Sequence, residues 1–244
     1  MTFDYTYQET SPSTNLEVKE LAKGGAKEGT VLVTDHQTNG RGRLGKTFYS
    51  PKANGIYFSL LLRPPFLAEY APFITVAAAV AVRRAVKSLF SVETQIKWVN
   101  DLYFDGKKFC GILTESAFGK NGALEYAVLG IGINLSEPAD GYPEEFAYKT
   151  TCLSNFVKKE IDKQTLIKEI LKEFDGFYQN LTQKAYLKEY KAASCVIGKE
   201  IEILSGAHKG RALAIDIDEN ANLVCRLKSG ETVALSTGDV SIHI

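Results

Sequence analysis

This chain of 244 residues has no net charge: 29 Lys and Arg balance 29 Asp and Glu. Without a global field it has no general means of gathering nucleic acid or a membrane surface, so any anion site must be local. It also lacks a long apolar run. The most apolar stretch, VAAAVAV at 76–82, is far shorter than the ~20 residues that cross a bilayer. The opening MTFDYTYQET holds neither a basic cluster nor an apolar core, which speaks against a signal peptide. Cysteine is sparse. Cys110, Cys152, Cys195 and Cys225 stand far apart with no C-x-x-C pair, a pattern that argues against a zinc site and suits reduced thiols in the cytoplasm. His36, His208 and His243 show no metal-ligand spacing. Repeats and low-complexity segments are missing too. With 45% hydrophobic residues, a full core is affordable, and the length fits one large domain or a medium one plus a small one.

Acid is missing from one window. Between Asp35 and Glu69 there is none, while Arg41, Arg43, Lys46, Lys52 and Arg63 all fall there. Within it, GRGRLGKT at 40–47 is a literal match to the phosphate-binding pattern G-x-x-x-x-G-K-[ST]. That pattern has meaning only between a buried strand and a helix whose first amides hold phosphate. TVLVT at 30–34 supplies the strand, but FYSPKANG follows, with Pro51 and the turn signal Asn54-Gly55 where a helix is needed. A P-loop is therefore not expected. Glycines 40, 42 and 45 interleaved with arginine still suit close backbone approach to an anion, and guanidinium suits phosphate or carboxylate. Residues 39–54 carry four cations and no acid, so the loop is expected to be mobile without ligand and to order over one.

Along the chain, SPSTNLEVKELAKGG reads as a helix capped at Ser13 or Thr14 and stopped at Gly24-Gly25. Strands follow at 30–34 and 56–63. AEYAPFITVAAAVAVRRAVKSLF is a long helix packed on a sheet. The block from Gln95 to Leu135 is strand-rich, with hairpin turns at Asp105-Gly106 and Asn121-Gly122. Alternation there places Lys108 on one face with Cys110, opposite Phe109 and Gly111. Helices are expected at 163–181 and 182–192. After Ser194 short strands broken by Gly, Asp and Asn suggest a small β-barrel. The expected division is 1–193 and 194–244. The first part reads as α/β with antiparallel hairpins, without the βαβ alternation of a doubly wound sheet.

Taken together, STN at 13–15, Gln37, GRGRLGKTFYSP at 40–51, KWVNDL at 97–102, GKKFCGIL at 106–113, GIGINL at 130–135 and GDVSI at 238–242 resemble the biotin protein ligases along nearly the whole chain. The resemblance implies a class II aminoacyl-tRNA-synthetase-like catalytic domain with a mainly antiparallel sheet, plus a C-terminal SH3-like barrel. It implies that biotin's carboxylate attacks the α-phosphate of ATP to give biotinyl-5′-AMP. A lysine of a biotin carboxyl-carrier protein, or of a carboxylase's biotin domain, then takes the acyl group. Two anions meet in the first step, so cations must offset their repulsion. Lys108, Arg43 and Arg41 are implied for that task. Biotin is implied against Ser13, Thr14, Asn15, Gln37, Gly42, Gly111 and Leu113. ATP is implied against Gly40, Phe48, Asn100, Asp101 and Asn134. Mg²⁺ is expected on the phosphates, with Asp101 helping to position it.

Three positions depart from the family's pattern. Val99 replaces the usual proline before Asn100, Phe48 a common tryptophan, and His243 a terminal arginine, so that last contact is not carried over. The STN motif starts at Ser13, and the resemblance implies the form without an N-terminal DNA-binding domain. Neutral charge agrees with the absence of nucleic acid among the partners. Two other readings remain: a lipoate or octanoate ligase or transferase sharing the catalytic fold, and a regulatory module that senses biotin without ligating it.

Overall fold

Every residue of GIYFSLLL, Gly55–Leu62 (β3), is buried. A strand covered on both faces must be central, and in the computed structural model, which describes residues 1–119 and 122–242, it is. Beside it lie β2 (Thr30–Thr34) and β7 (Leu124–Asn134). Outward from these come β1 (Asp4–Gln8) on one side, and β6 (Lys107–Phe118), β5 (Asp101–Phe104) and β4 (Gln95–Lys97) on the other. The order is β1-β2-β3-β7-β6-β5-β4. All pairs are antiparallel except β1 with β2.

That parallel pair is the exception in the mainly antiparallel sheet expected from the sequence. Helix α1 (Thr14–Lys23) crosses between β1 and β2, so the N-terminus is a single βαβ unit. The first strand is exposed along most of its length and has no apolar run to announce it. The GRGRLGKT stretch itself holds a 3₁₀ turn, Arg43–Gly45, and the next element is β3. No helix follows the loop, as expected for a chain without a P-loop.

The two faces of the sheet are covered unequally. Ile56, Phe58, Leu60 and Leu62 face a core closed by α2 (Ala71–Phe90) and α4 (Lys163–Tyr178). Five alanines of α2 are fully buried, which lets the helix approach the sheet closely. On the opposite face α1 covers only one end, through Val18 and Ala22 against Leu32, Leu61 and Val128. The rest of that face is an open groove.

The turn at Asp105-Gly106 joins β5 to β6 with φ of +46° and +72°, the left-handed pair that a two-residue hairpin requires. Just beyond it, simple alternation fails. Leu102 pairs with Cys110 but Tyr103 pairs with Lys108, so Phe109 is an extra residue, a β-bulge. Phe109 and Cys110 both enter the core, while Lys108 swings to the groove face, the one that Gly111 shares. Asn121 of the second expected turn, and His243, lie outside the described residues.

The expected helices at 163–181 and 182–192 are shorter in fact. α4 ends at Tyr178, and a 3₁₀ turn, Leu181–Gln183, precedes α5 (Leu187–Ala192). Lys184 with φ +55° breaks the path between them. A short α3 (Glu144–Ala147) lies between β7 and α4. The C-terminal strands, β8 (Glu200–Ile203), β9 (Gly210–Ile217), β10 (Leu223–Leu227), β11 (Thr232–Leu235) and β12 (Val240–Ile242), form a second, antiparallel sheet in the order β11-β10-β9-β8-β12.

Candidate active site

Register across the sheet builds the groove. One row runs Tyr57–Gly132–Gly111–Asp101–Lys97 across β3, β7, β6, β5 and β4. Two residues along, a second row runs Ser59–Gly130–Leu113. Directly paired residues share a face, so both rows form one floor. Three of its positions are glycine because other side chains lie directly on it. A Cβ on Gly132 would stand 2.5 Å from the Phe48 ring. On Gly111 it would stand 2.8 Å from that ring and 3.0 Å from Lys108 Nζ, and on Gly130 only 2.0 Å from Asn15 Oδ1.

At the α1 end the groove closes over a polar cluster. Ser13, Thr14 and Asn15 are 1%, 3% and 4% exposed. The Thr14 amide donates to Gln37 Oε1 at 3.0 Å, and Gln37 Nε2 donates to Ser50 Oγ at 3.0 Å. The Ser59 hydroxyl lies 2.7 Å from Thr14 Oγ1 and 2.6 Å from Asn15 Oδ1. Asn15 Nδ2 donates to the Leu113 carbonyl at 3.2 Å and to Glu115 at 2.9 Å. Burial alone would raise the Glu115 pKa. Hydrogen bonds from Lys19 and Asn15, with the charges of Lys19 and Arg41, hold it below the usual glutamate range.

Cations fill the middle. Lys108 pairs with Asp101 at 2.7 Å and stands 5.5 Å above the Phe48 ring. Arg41 meets Glu115 at 3.6 Å. Arg43 donates to Asn100 Oδ1 at 3.1 Å and to Thr237 Oγ1, in the turn between β11 and β12, at 3.4 Å. Lys46 pairs with Asp239. The loop itself is closed by Gly42 N–H to the Lys46 carbonyl at 2.7 Å and Phe48 N–H to the Gly40 carbonyl at 2.9 Å. At Gly40 a Cβ would sit 2.3 Å from the Phe48 carbonyl oxygen, so glycine lets the two limbs of the loop meet.

The cavity enclosed by these groups measures about 550 Å³. Thirteen of the fifteen residues expected at the site line it: Ser13, Thr14, Asn15 and Gln37 at the polar end; Arg41, Gly42, Arg43 and Phe48 from the loop; Asn100, Asp101, Lys108, Gly111 and Leu113 from the sheet. Gly40 and Asn134 are not among the lining residues. Asn134 is buried and its amide donates to the Thr151 carbonyl at 3.1 Å. Two cations of the acid-free window also go elsewhere: Arg63 holds the Ala22 and Ala26 carbonyls at the end of α1, and Lys52 pairs with Glu9. At the Val99 departure the chain is held by hydrogen bonds, with the Tyr190 hydroxyl donating to the Val99 carbonyl at 2.8 Å and Asn100 Nδ2 to the Ile112 carbonyl at 2.9 Å.

Several lining groups were not expected. Lys97 belongs to the same KWVNDL motif as Asn100 and Asp101, but only the pairing of Lys97 with Asp101 reveals that it shares their face. Gly238 to Ser241 bring the second sheet to the cavity, and Ser59, mid-strand in an apolar run, supports the lining from behind through its bonds to Thr14 and Asn15. In all, six cations and three carboxylates line it. That excess of positive charge suits a polyanion, and the buried polar cluster suits a small ligand head with donors and acceptors of its own.

The fold and groove thus define an α/β protein with a cavity suited to an anionic ligand on the open face of a mainly antiparallel sheet, completed by a C-terminal β-sheet. Residues 5–134 match the Biotin/lipoate A/B protein ligase family, and the chain belongs to that family. It is 36% identical over 223 residues to the bifunctional ligase/repressor BirA of Bacillus spizizenii, covering 89% of this chain and 68% of that protein. It is 32% identical over 241 residues to the biotin--[acetyl-CoA-carboxylase] ligase of Mycobacterium tuberculosis, covering 95% and 86%. The biotin protein ligase of Aquifex aeolicus in complex with biotin and ATP superposes with a TM-score of 0.82 at 25% identity, covering 98% of each chain. The class II synthetase-like architecture is shared with that structure.

Proposed function

We propose that this chain is an ATP-dependent ligase that activates biotin as biotinyl-5′-AMP and transfers it to a lysine of a carboxylase's biotin carboxyl-carrier domain. One observation carries the reading: Lys108 stands over a glycine floor that leads from the Thr14–Gln37–Asn15 cluster, and Arg43 lines the same cavity. The cluster takes biotin's ureido ring, whose N–H and C=O groups need partners when buried. Ser13, Gly42, Gly111 and Leu113 complete that pocket. A lipoyl dithiolane or an octanoyl chain offers that polar cluster no hydrogen-bonding group, and this favours biotin over lipoate or octanoate.

A carboxylate oxygen of biotin attacks the α-phosphorus. The bond from phosphorus to the bridging oxygen breaks, and pyrophosphate leaves with the electron pair. Lys108 spans the carboxylate and the α-phosphate, exchanging its partner Asp101 for the incoming anions. Arg43 and Arg41 hold phosphate oxygens, and Phe48 and Asn100 shape the nucleotide's side of the groove, with Gly40 and Asn134 supporting it from behind. In the second step the neutral amine of the acceptor lysine attacks the acyl carbon. The carbon–oxygen bond to AMP breaks, AMP leaves with the electrons, and the amine's proton goes to solvent.

No group of three or more His, Cys, Asp or Glu able to hold a metal exists among the described residues. That fits Mg²⁺ carried in on the phosphates, because Mg²⁺ keeps its waters and needs only one or two protein carboxylates. Asp101 is the carboxylate placed to take it. Bound there, Mg²⁺ would neutralise phosphate charge. We place the division between catalytic and C-terminal domains at 193/194, and the protein in the cytoplasm. Among the described residues no helix is long and apolar enough to cross a membrane. The test is ATP–pyrophosphate exchange run with biotin and lipoate in parallel. Biotin-dependent exchange is expected, and exchange stimulated only by lipoate would overturn the assignment.

A further inference from the structure

We propose that Lys97 binds the β- and γ-phosphates of ATP and receives the departing pyrophosphate. This rests on the ligase reading above. Four other cations of the cavity are already engaged. Lys108 sits on Asp101, Arg41 on Glu115 and Lys46 on Asp239, while Arg43 is held by Asn100 and Thr237. Among the described residues lining the cavity, Lys149 and Lys97 make no ion pair. Lys149 is exposed at the rim, lying 4.6 Å over the Tyr148 ring. Lys97 is inside, and its ammonium has only the Tyr103 hydroxyl at 3.4 Å and the ring beneath it at 5.4 Å.

Position then assigns the ligand. The floor row ends Gly111–Asp101–Lys97, so Lys97 lies on the far strand, β4, beyond the carboxylate that Lys108 occupies. The polar cluster for the biotin head lies at the opposite end, against α1. Displacement at phosphorus is in line. An attacking oxygen that arrives from the α1 side sends the leaving group towards β4, where Lys97 waits. Lys97 is half-buried in the lining of the cavity, and among the described residues its ammonium bonds only the Tyr103 hydroxyl. An ammonium desolvated without a bonded carboxylate costs folding energy. A ligand anion would supply the missing partner.

The test compares Lys97→Met and Lys97→Gln with Lys97→Arg in the full chain. It reads biotin-dependent ATP–pyrophosphate exchange, the KM for ATP, inhibition by inorganic pyrophosphate, and affinity for biotinyl-5′-AMP. Biotinyl-5′-AMP keeps the α-phosphate but lacks the other two, so it separates the two anion subsites. Removing the charge should raise the ATP KM and weaken pyrophosphate inhibition by about 10- to 100-fold, the size of one charge-assisted hydrogen bond. Affinity for biotinyl-5′-AMP should change by less than about threefold, and Lys97→Arg should recover much of the pyrophosphate inhibition. If the neutral variants lose adenylate affinity as much as ATP affinity, or keep wild-type pyrophosphate inhibition, the assignment is wrong. Neutral variants that do not fold, while Lys97→Arg does, would give Lys97 a structural role and also overturn it. Wild-type protein without biotin-dependent exchange would instead overturn the ligase reading itself.

Discussion

Lys108 owes its place to one inserted residue. The bulge at Phe109 turns the lysine onto the floor while Phe109 anchors the strand in the core. Removing a preorganised charge that meets both reacting anions should cost about 10²–10³ in rate. We expect Lys108→Ala to lower biotin-dependent exchange by that factor with an unchanged circular dichroism spectrum. Activity within about threefold of wild type would remove Lys108 from the chemistry. Gly130 tests the floor. A Cβ there would stand 2.0 Å from Asn15 Oδ1, and Asn15 cannot step aside without breaking its bonds to Glu115 and Leu113. Gly130→Ala should therefore lose about 1–3 kcal/mol of stability, as overpacked cores do, and bind biotin more weakly. Thermal unfolding and biotin titration measure the two effects, and a variant neutral in both would show that Asn15 is free to move. The lysine was legible in GKKFCGIL, but its face was not, because alternation is blind to a bulge. Nor was the reason for the glycines legible: the atoms that exclude a Cβ come from Asn15 and Phe48, distant in sequence.

The loop from Asn39 to Asn54 reads from sequence as basic and mobile, and its chemistry was the plainest signal in the chain. Its fastenings were hidden, since they are cross-chain pairs. Arg43 reaches Asn100 and Thr237, Lys46 reaches Asp239, and Phe48 lies on Gly111 and Gly132. The Lys46–Asp239 pair is largely exposed on the lysine side, and such pairs add little stability. Thus the cations that hold the loop down are the ones an anionic ligand would recruit, and ligand binding exchanges weak ties for strong ones. Arg43 ties Asn100 to the turn between β11 and β12, so it is the expected latch over a reactive anhydride. Arg43→Gly should let biotinyl-5′-AMP escape and label lysines of a non-acceptor such as albumin. Protease cleavage within 39–54 should slow when biotin and ATP are added to the wild type. Should cleavage be indifferent to ligands and the variant stay acceptor-specific, the loop is a rigid clamp and the closing motion does not exist.

The strands after Ser194 read from sequence as a small barrel, on the change of texture there. Composition cannot show what two units share, and here they share a core. One apolar cluster runs from Val31 and Ile56 through Ile96 and Trp98 to Ile201, Ala214, Leu223 and Val240. Polar ties cross the same junction: the Trp98 indole donates to the Ala221 carbonyl at 2.9 Å, Lys191 pairs with Asp216 at 2.5 Å, and Lys184 donates to the Glu219 carbonyl at 2.9 Å. A continuous core unfolds as one cooperative unit. Trp98 is the chain's only tryptophan and is 4% exposed, so its emission reports this junction alone. In urea, Trp98 emission and far-UV circular dichroism should follow the same transition. A chain ending at Ala193 should show red-shifted Trp98 emission, a lower Tm and little exchange, because it loses apolar cover over β4 together with Thr237 and Asp239 at the loop. Two separate transitions in the full chain, with unshifted emission in the shortened one, would mean that the strands after Ser194 fold and act independently of the groove.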